Sequence, residues 1–228
     1  MESVPPAQRR VSVDRFSVDE FRSISHPLLV WRQIDAPTLV LGSRQDATLV
    51  NDSSSIHLAQ RRGGGGAVYL DSECVVWIDV WLPEADPCHR ADVRSAMVLV
   101  GDVFLEALES LGVSGASVLD TTHHVVPTEI CFAGTGPGEV MVGSNKLVGL
   151  TAWRGREGAL FQAALYREQP RSLRDFMDLV ESEPDEALAT LASQGLGDID
   201  SNVLLSALTT AFEGRGSMNL QVAHASFR

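Results

Sequence analysis

The stretch QRRGGGGAVYLD, residues 60–71, places four consecutive glycines between two arginines and an apolar, strand-like segment. Glycine loses more backbone freedom on folding than any other residue, so an ordered run of four is costly. The run precedes a strand and lacks a following Lys-Ser/Thr, which excludes a dinucleotide fingerprint and a phosphate-binding P-loop. Two interpretations remain: a flexible hairpin tip, or a loop whose N–H groups face an anion or a flat ligand, with Arg61 and Arg62 adding positive charge.

A second stretch, GPGEVMVGSNKLVGLTAWRGREGALFQAAL over residues 136–165, carries a lysine in an unusual position. Lys146 follows a Gly-Ser-Asn turn and begins a short strand that is otherwise apolar. Burying an ammonium there costs free energy unless an anion meets it, whereas a lysine at an exposed hairpin edge costs little. Two glycine-rich, basic stretches in one β-rich region favour the first interpretation. We therefore expect Gly64–Gly66 and Lys146 to face one pocket.

The remaining pattern predicts an α+β protein with a mixed β-sheet core and flanking helices. Strand-like segments dominate residues 28–166. An amphipathic helix interrupts them over 91–111, where apolar residues recur every three or four positions. Beyond Pro170, three segments have helical spacing: SLRDFMDLV, EPDEALATLA and SNVLLSALTTAF.

These patterns predict a lead-in at 1–16 and a single domain at 17–228, with a strand-rich core at 28–166 and a helical extension at 170–213. LLVWRQ and TLVLG, joined by IDAPT, are expected to pair as a hairpin. Trp77, Asp79 and Trp81 share one face of a strand. We expect the helix at 91–111 to cover that face, and a wall of a ligand tunnel is the alternative.

Composition narrows the classes of partner. The formal net charge of −12 argues against a nucleic-acid partner. No apolar stretch approaches the ~20 residues of a membrane helix, and the first residues lack a signal-peptide hydrophobic region. We therefore expect a soluble cytoplasmic protein without a membrane partner. The three cysteines are widely spaced, and the adjacent His123 and His124 would point to opposite faces of a strand, so no metal site is expected.

The two motifs resemble those of the lipoate–protein ligases, octanoyltransferases and biotin ligases, and most closely a short lipoate-ligase-like branch in high-GC Gram-positive bacteria. That family has an arginine pair, Ser/Thr and a glycine run before Ala-Val and His-Asp. Gly-x-Lys-aliphatic-x-Gly follows further along. This chain has QRRGGGGAVYLD and GSNKLVG, and LLVWRQIDAPTLVLGSRQD resembles the family's first hairpin. The resemblance covers about residues 28–166 and implies the lipoate/biotin ligase catalytic-domain fold.

The resemblance also implies acyl transfer. In the family, the glycine loop closes over an acyl chain and its activated phosphate, and the motif lysine, here Lys146, holds the acyl carbonyl and the phosphate oxygen. A fixed cation and backbone N–H donors stabilise the oxyanion that forms when an amine attacks. The implied substrate- and nucleotide-binding residues are Arg61, Gly64, Gly65, Gly66, Ala67, Val68, Tyr69, Gly149, Thr151 and Arg154.

A lipoate–protein ligase is the first functional hypothesis that the resemblance implies. Lipoate or octanoate would be activated with ATP and Mg²⁺ as an acyl-adenylate, with no permanently bound cofactor. The acceptor would be a lysine on the lipoyl carrier domain of a 2-oxoacid dehydrogenase or on the glycine cleavage H protein. Arg61 carries this preference because its charge suits a phosphate-bearing intermediate. The separate domain of long ligases has no counterpart here, so an accessory subunit is a further candidate partner.

Departures from the family pattern support two alternatives. Gly63 replaces Ser/Thr, Leu70-Asp71 replaces His-Asp, and QAAL replaces a polar motif that ligases use around the nucleotide. Cys131, in TEICFAGTGPGE, resembles the nucleophile of one octanoyltransferase class. Such enzymes take octanoate from a carrier thioester, as on acyl carrier protein, without ATP. Packing as a small apolar residue is the other interpretation of Cys131. The second alternative is a non-catalytic lipoyl- or acyl-binding paralogue.

Overall fold

Two β-sheets and three helices form the computed structural model, which describes residues 14–15, 18–51, 56–120, 128–179 and 182–227. Its strands are β1 (Asp14–Arg15), β2 (Leu28–Gln33), β3 (Thr38–Leu41), β4 (His57–Gln60), β5 (Val68–Leu70), β6 (Val75–Pro83), β7 (Ala116–Val118), β8 (Val140–Val142), β9 (Asn145–Arg154), β10 (Gly158–Tyr166) and β11 (Gln221–Ser226). Its α-helices are α1 (Asp19–Arg22), α2 (Val93–Ser110) and α3 (Ser201–Glu213).

Both sheets are mixed. The larger has the order β11-β2-β6-β10-β9-β8-β7, and within it only β11 and β2 run parallel. The smaller has the order β1-β4-β3-β5, in which β4 is parallel to β1 and β3, and β5 is antiparallel to β3. This arrangement confirms the predicted α+β class.

The elements stack in three layers. Aliphatic side chains on one face of the larger sheet pack against α2 and α3 and form the main hydrophobic core. The opposite face packs against the smaller sheet through a second cluster that includes Val40, Val68, Trp77 and Phe132. The larger sheet is therefore buried on both faces, which explains why β6 and β10 consist almost entirely of apolar residues.

Helix α2 is the element that the apolar periodicity predicts best. Asp92 caps its first turn by accepting a hydrogen bond from the Ser95 N–H at 2.7 Å. The buried stripe repeats every three or four residues and consists of Ala96, Met97, Val100, Gly101, Val103, Phe104, Ala107 and Leu108.

Within the described residues, none of the helices combines the length and apolar character that crossing a bilayer requires.

The predicted hairpin of LLVWRQ and TLVLG is wrong. Both segments are strands, but β2 pairs with β6 and β11 in the larger sheet, while β3 pairs with β4 and β5 in the smaller one. The proline-containing connection carries the chain from one sheet to the other. Apolar patterns identify strands, but they do not specify which strands pair.

The predicted cover for the Trp77–Asp79–Trp81 face is also wrong. Helix α2 packs on the other face of β6, against Val76, Ile78 and Val80. The buried Asp79 carboxylate instead accepts hydrogen bonds from Arg32 Nε at 2.6 Å, Trp77 Nε1 at 2.9 Å and Gln162 Nε2 at 3.1 Å. A buried carboxylate requires such donors, and these come from strands rather than from α2.

Two of the three predicted C-terminal helices are absent from the described residues. SNVLLSALTTAF forms α3, whereas the described part of SLRDFMDLV contains one 3-10 turn, Leu173–Asp175, and EPDEALATLA only reaches the first residue of another, Ala192–Gln194. The backbone around Leu188 hydrogen-bonds to Lys146 and Tyr166 instead of to itself. Tertiary pairing thus overrides helix propensity there. Strand β11 is an unpredicted addition. The predicted domain boundaries stay a prediction, and residues 1–13 lie outside the described part.

Candidate active site

A cavity of about 640 Å³ lies between the glycine loop, the segment 128–137, strand β9 and the N-terminal end of α2. The two stretches that the sequence singled out therefore meet at one site. The predicted site residues that line the cavity are Gly64, Gly65, Gly66, Cys131, Lys146 and Thr151.

Arg61 braces the glycine loop from behind. Its guanidinium donates to the Gly64 carbonyl at 2.8 Å, the Gly66 carbonyl at 2.7 Å and the Val40 carbonyl at 3.3 Å. The side chain is 2% exposed and does not line the cavity. Burial lowers the pKa of Arg61, and a negative charge on the neighbouring Cys131 sulfur acts in the opposite direction. Arg61 therefore fixes the loop and does not line the cavity.

The carbonyls that Arg61 holds determine where the loop amides point. Thr151 Oγ1 also donates to the Gly64 carbonyl, at 3.0 Å. In a trans peptide the carbonyl and the next N–H point in opposite directions, so the Gly65 N–H points away from Arg61. Gly65 has a φ of +92°, a conformation that favours glycine. Among the described residues, no acceptor is bonded to the N–H groups of Gly64, Gly65 or Gly66. The loop therefore has free donors beside the cavity.

The segment that carries Cys131, residues 129–131, is hydrogen-bonded to Ala67 at the end of the glycine loop. Ala67 N–H donates to the Glu129 carbonyl at 2.7 Å, and Cys131 N–H donates to the Ala67 carbonyl at 3.0 Å. Gly66 makes this approach possible, because a Cβ there would lie 2.6–2.8 Å from backbone atoms of Glu129, Ile130 and Cys131. The half-buried Cys131 is thus held at the cavity wall next to the loop.

Gly66→Ala should therefore destabilise the fold by about 1–3 kcal/mol, because the new methyl group collides with backbone that cannot move freely. Gly64→Ala is the matched control, since a Cβ there meets nothing within 4 Å. Urea unfolding of both variants checks the expectation. Equal transition midpoints for the two variants would show that the Cys131 segment does not depend on the close approach at Gly66.

Lys146 is buried at the floor of the cavity. Its Nζ lies 2.7 Å from Glu139 Oε1 and donates to the Cys131 carbonyl at 2.5 Å. The Glu139 Oε2 atom accepts from the Gly136 N–H at 2.7 Å. Burial raises the pKa of Glu139, while the Lys146 ammonium acts to lower it. The anion that the sequence demanded for Lys146 is thus supplied by the protein itself.

Six predicted site residues lie outside the cavity lining, and packing explains most of these positions. Ala67, Val68 and Tyr69 are buried in strand and core contacts, and the Tyr69 ring stacks on Phe176 with centroids 5.1 Å apart. Gly149 lies against the Phe132 ring. Arg154 donates to the Ala91 carbonyl at 2.5 Å. The remaining residue is Arg61.

Sequence reasoning missed Glu139 and Glu129, which line the cavity. Glu139 precedes the apolar segment VMV and faces Lys146 across the following turn. A charged residue in an apolar strand needs a partner, and this argument applies to Glu139 as well as to Lys146. The sequence could therefore have predicted that these two residues pair. Glu129 does not lie in an apolar strand, so the same argument does not apply to it. Its segment is positioned by hydrogen bonds to the glycine loop, which the local sequence does not record.

The sequence predicts no metal site, and the structure describes only part of the chain to which this prediction applies. Within the described residues, no group of three or more His, Cys, Asp or Glu side chains is arranged to hold a metal ion. His123 and His124 lie outside those residues. The absence of a metal site therefore stays a prediction.

Comparison with known proteins identifies related structures. The chain is similar to lipoate-protein ligase A bound with ATP, with 19% identity, a TM-score of 0.65, and 91% of this chain and 80% of that chain covered. It is also similar to a bi-partite lipoate protein ligase from Thermoplasma acidophilum, described with its E2 lipoyl domain, with 18% identity, a TM-score of 0.62, and 92% and 79% covered. P. falciparum LipL1 in complex with lipoate matches with 15% identity, a TM-score of 0.58, and 88% and 54% covered. These identities establish the fold alone.

The sequence itself provides the family evidence. No curated protein matches it at a significant level. The family profile described as the lipoyl protein ligase A/B catalytic domain, however, matches residues 6–201. That range contains the glycine loop, Cys131 and Lys146. The chain therefore belongs to the lipoyl protein ligase A/B catalytic-domain family.

Proposed function

We propose that the protein transfers an octanoyl or lipoyl group from a carrier thioester to a lysine of a lipoyl carrier domain, with Cys131 as the nucleophile. One observation carries the proposal: Cys131 lines the same cavity as the free amides of the glycine loop and Lys146, whereas Arg61 does not line it and binds loop carbonyls instead. The preference for a ligase rested on Arg61 as a phosphate-binding cation. Because that cation is bound to loop carbonyls, the preference loses its physical basis.

The first step would exchange one thioester for another. The Cys131 thiolate attacks the acyl carbonyl, a new C–S bond forms, and the bond to the carrier sulfur breaks. The leaving carrier thiolate takes up a proton. As the carbonyl oxygen becomes negative, the loop N–H groups and the Lys146 ammonium are the donors on the cavity wall that can stabilise it.

The second step would form the amide. A neutral lysine amine of the carrier domain attacks the acyl-Cys131 thioester, the C–S bond breaks, and the amine proton passes to the departing Cys131 thiolate. No ATP is consumed, because the thioester keeps the acyl group activated throughout. The acyl chain would lie along the apolar side of the cavity, which Val93, Met97, Leu150 and Ala152 form.

A lipoate–protein ligase is the second candidate. The free N–H groups of Gly64–Gly66 suit a phosphate as well as an oxyanion. A protein with this fold is described as bound with ATP. The carboxylates of Asp46 and Glu129 line the cavity and offer the oxygen ligands that Mg²⁺ prefers. In this reaction Lys146 would orient the acyl carbonyl and Cys131 would only pack.

Intact-mass spectrometry of the whole protein separates the two reactions. We expect octanoyl-carrier thioester, without ATP, to add one octanoyl group to the protein, because a thioester intermediate is covalent. Adding a lipoyl carrier domain should then remove the adduct and modify one carrier lysine. Lipoate with ATP and Mg²⁺ should give no adduct and no carrier modification.

Two results would overturn the proposal. Carrier modification that requires ATP and proceeds without a covalent adduct would identify a ligase. If neither acyl donor gives an adduct or a modified carrier lysine, but octanoate or lipoate binds measurably, the protein is a non-catalytic acyl-binding paralogue.

A further inference from the structure

Glu139 and the Cys131 carbonyl together occupy most of the hydrogen-bonding capacity of Lys146. An ammonium has three N–H donors. Two of them are accounted for by Glu139 Oε1 at 2.7 Å and the Cys131 carbonyl at 2.5 Å. The described residues provide no third hydrogen-bond acceptor for Nζ. Lys146 therefore has one donor left for a ligand in the cavity.

Glu139 is held in place as firmly as Lys146. Its second oxygen accepts from the Gly136 N–H at 2.7 Å, so the carboxylate bridges the ammonium and the loop that precedes β8. Glu139 is 4% exposed and Lys146 is 1% exposed. Solvent ions screen such a buried pair far less than a surface pair. The ammonium charge is thus cancelled next to the position where it would otherwise act on a ligand.

The other charges on the cavity wall do not replace the cation. Arg44 and Asp46 lie at the exposed rim, where water and salt screen them. The less exposed part of the wall contributes Glu129 and Glu139 against Lys146. An Oε2 atom of Glu129 is buried without a hydrogen-bond partner. Among the less exposed residues that line the cavity, a ligand with a negative charge therefore meets two carboxylates and one cation, while the Arg61 cation lies behind the loop, bound to its carbonyls.

We propose that Glu139 is a specificity-determining residue that makes the site favour an uncharged acyl thioester over an acyl group activated on an anionic phosphate. Glu139 does this by pairing with Lys146, so the ion pair as a whole carries no net charge and Lys146 offers one remaining N–H donor to a ligand. The proposal rests on the proposed function, because it explains which activated acyl donor the same cavity accepts.

The test compares the affinities of two octanoyl donors by isothermal titration calorimetry. Octanoyl-AMP carries a negative charge, and octanoyl-pantetheine does not. Every protein in the series carries Cys131→Ser, so neither ligand acylates the cysteine. Glu139→Gln should tighten octanoyl-AMP binding by about tenfold or more, because it exposes the ligand phosphate to an uncompensated ammonium, and should change octanoyl-pantetheine binding by less than about threefold.

Glu129→Gln is the matched control. It removes the same formal charge from the cavity wall without touching Lys146, so its effect on octanoyl-AMP binding should be clearly smaller. If octanoyl-AMP affinity rose equally in Glu129→Gln and Glu139→Gln, the loss of either carboxylate would be enough, and pairing with Lys146 would not be the cause. An unchanged octanoyl-AMP affinity in a folded Glu139→Gln protein would also overturn the proposal.

A double variant keeps the proposal testable if Glu139→Gln does not fold. Lys146→Gln with Glu139→Gln replaces the ion pair by two amides and leaves the net charge at the cavity floor unchanged. Octanoyl-AMP affinity should then stay within about threefold of the parent, because the original pair has no net charge. A loss of tenfold or more would show that Lys146 binds anions despite Glu139. These binding results do not depend on whether the mass experiment detects transfer.

Discussion

Replacing Cys131 with serine should lower the rate of acyl transfer by about 10³-fold or more, because a serine hydroxyl is a much weaker nucleophile toward a thioester than a thiolate. The change replaces one sulfur atom by a smaller oxygen at a half-buried position, so the fold should persist. The measurement is single-turnover transfer of octanoate from a carrier thioester to a lipoyl carrier domain, followed by mass spectrometry. The acyl-enzyme adduct should disappear together with the activity.

Cys74→Ser is the matched control for this prediction. Cys74 is also half-buried, but it packs at the edge of the cluster between the sheets and does not line the cavity. Its replacement should leave both the adduct and the transfer rate close to those of the parent. Retention of transfer in Cys131→Ser would return Cys131 to a packing role and leave the adenylate route as the explanation of any activity.

Lys146→Met should have two large effects. It leaves the buried Glu139 carboxylate without its cation, and breaking a buried pair from one side costs about 3–5 kcal/mol of folding free energy. It also removes a donor that stabilises the oxyanion, which should slow transfer by about 10²-fold. Urea unfolding measures the first effect, and the single-turnover assay measures the second in the fraction that remains folded.

The double variant Lys146→Gln with Glu139→Gln separates the two effects. Two neutral amides should recover much of the lost stability, because no buried charge stays unpaired. The transfer rate should stay low, because the amide lacks the positive charge that stabilises a developing oxyanion. If Lys146→Met were as stable as the parent, the ion pair would contribute nothing to folding. If it transferred octanoate at the parent rate, Lys146 would not belong to the catalytic site.

Much of the fold was predictable from local patterns. The period-two and continuous apolar runs identified β2, β3, β5, β6 and β8–β10, and the three-to-four spacing identified α2. Strand pairing was not predictable in the same way, because the connection IDAPT joins two sheets rather than two neighbouring strands. The segments at 172–194 mislead for a related reason. Beyond their short 3-10 turns, backbone groups of these segments hydrogen-bond to residues far away in the sequence, such as Leu49, Lys146 and Tyr166, which a local pattern does not record.

The candidate site shows the same division at the level of single side chains. The sequence singled out the glycine run, Cys131 and Lys146 as candidate site residues. In the structure, Gly64–Gly66, Cys131 and Lys146 line one cavity. The direction of Arg61 was not predictable, because its guanidinium follows carbonyls that converge only when the loop closes. The expectation that Lys146 meets an anion was correct in its physics. The identity of that anion, Glu139, depends on the turn and the bulge between β8 and β9.

The sequence by itself therefore determined the α+β class, the family, and two of the stretches that contribute residues to the cavity wall. Glycine content, apolar spacing and a lysine in an apolar strand are local properties, so they can be recognised before the chain is folded. Only the tertiary structure decided that Arg61 supports the loop, that Glu139 cancels the charge of Lys146, and that Cys131 lies beside free amides. The reason is physical. Hydrogen bonds and ion pairs are set by distances of a few ångströms between groups that are remote in sequence, and those distances exist only after the sheets have packed.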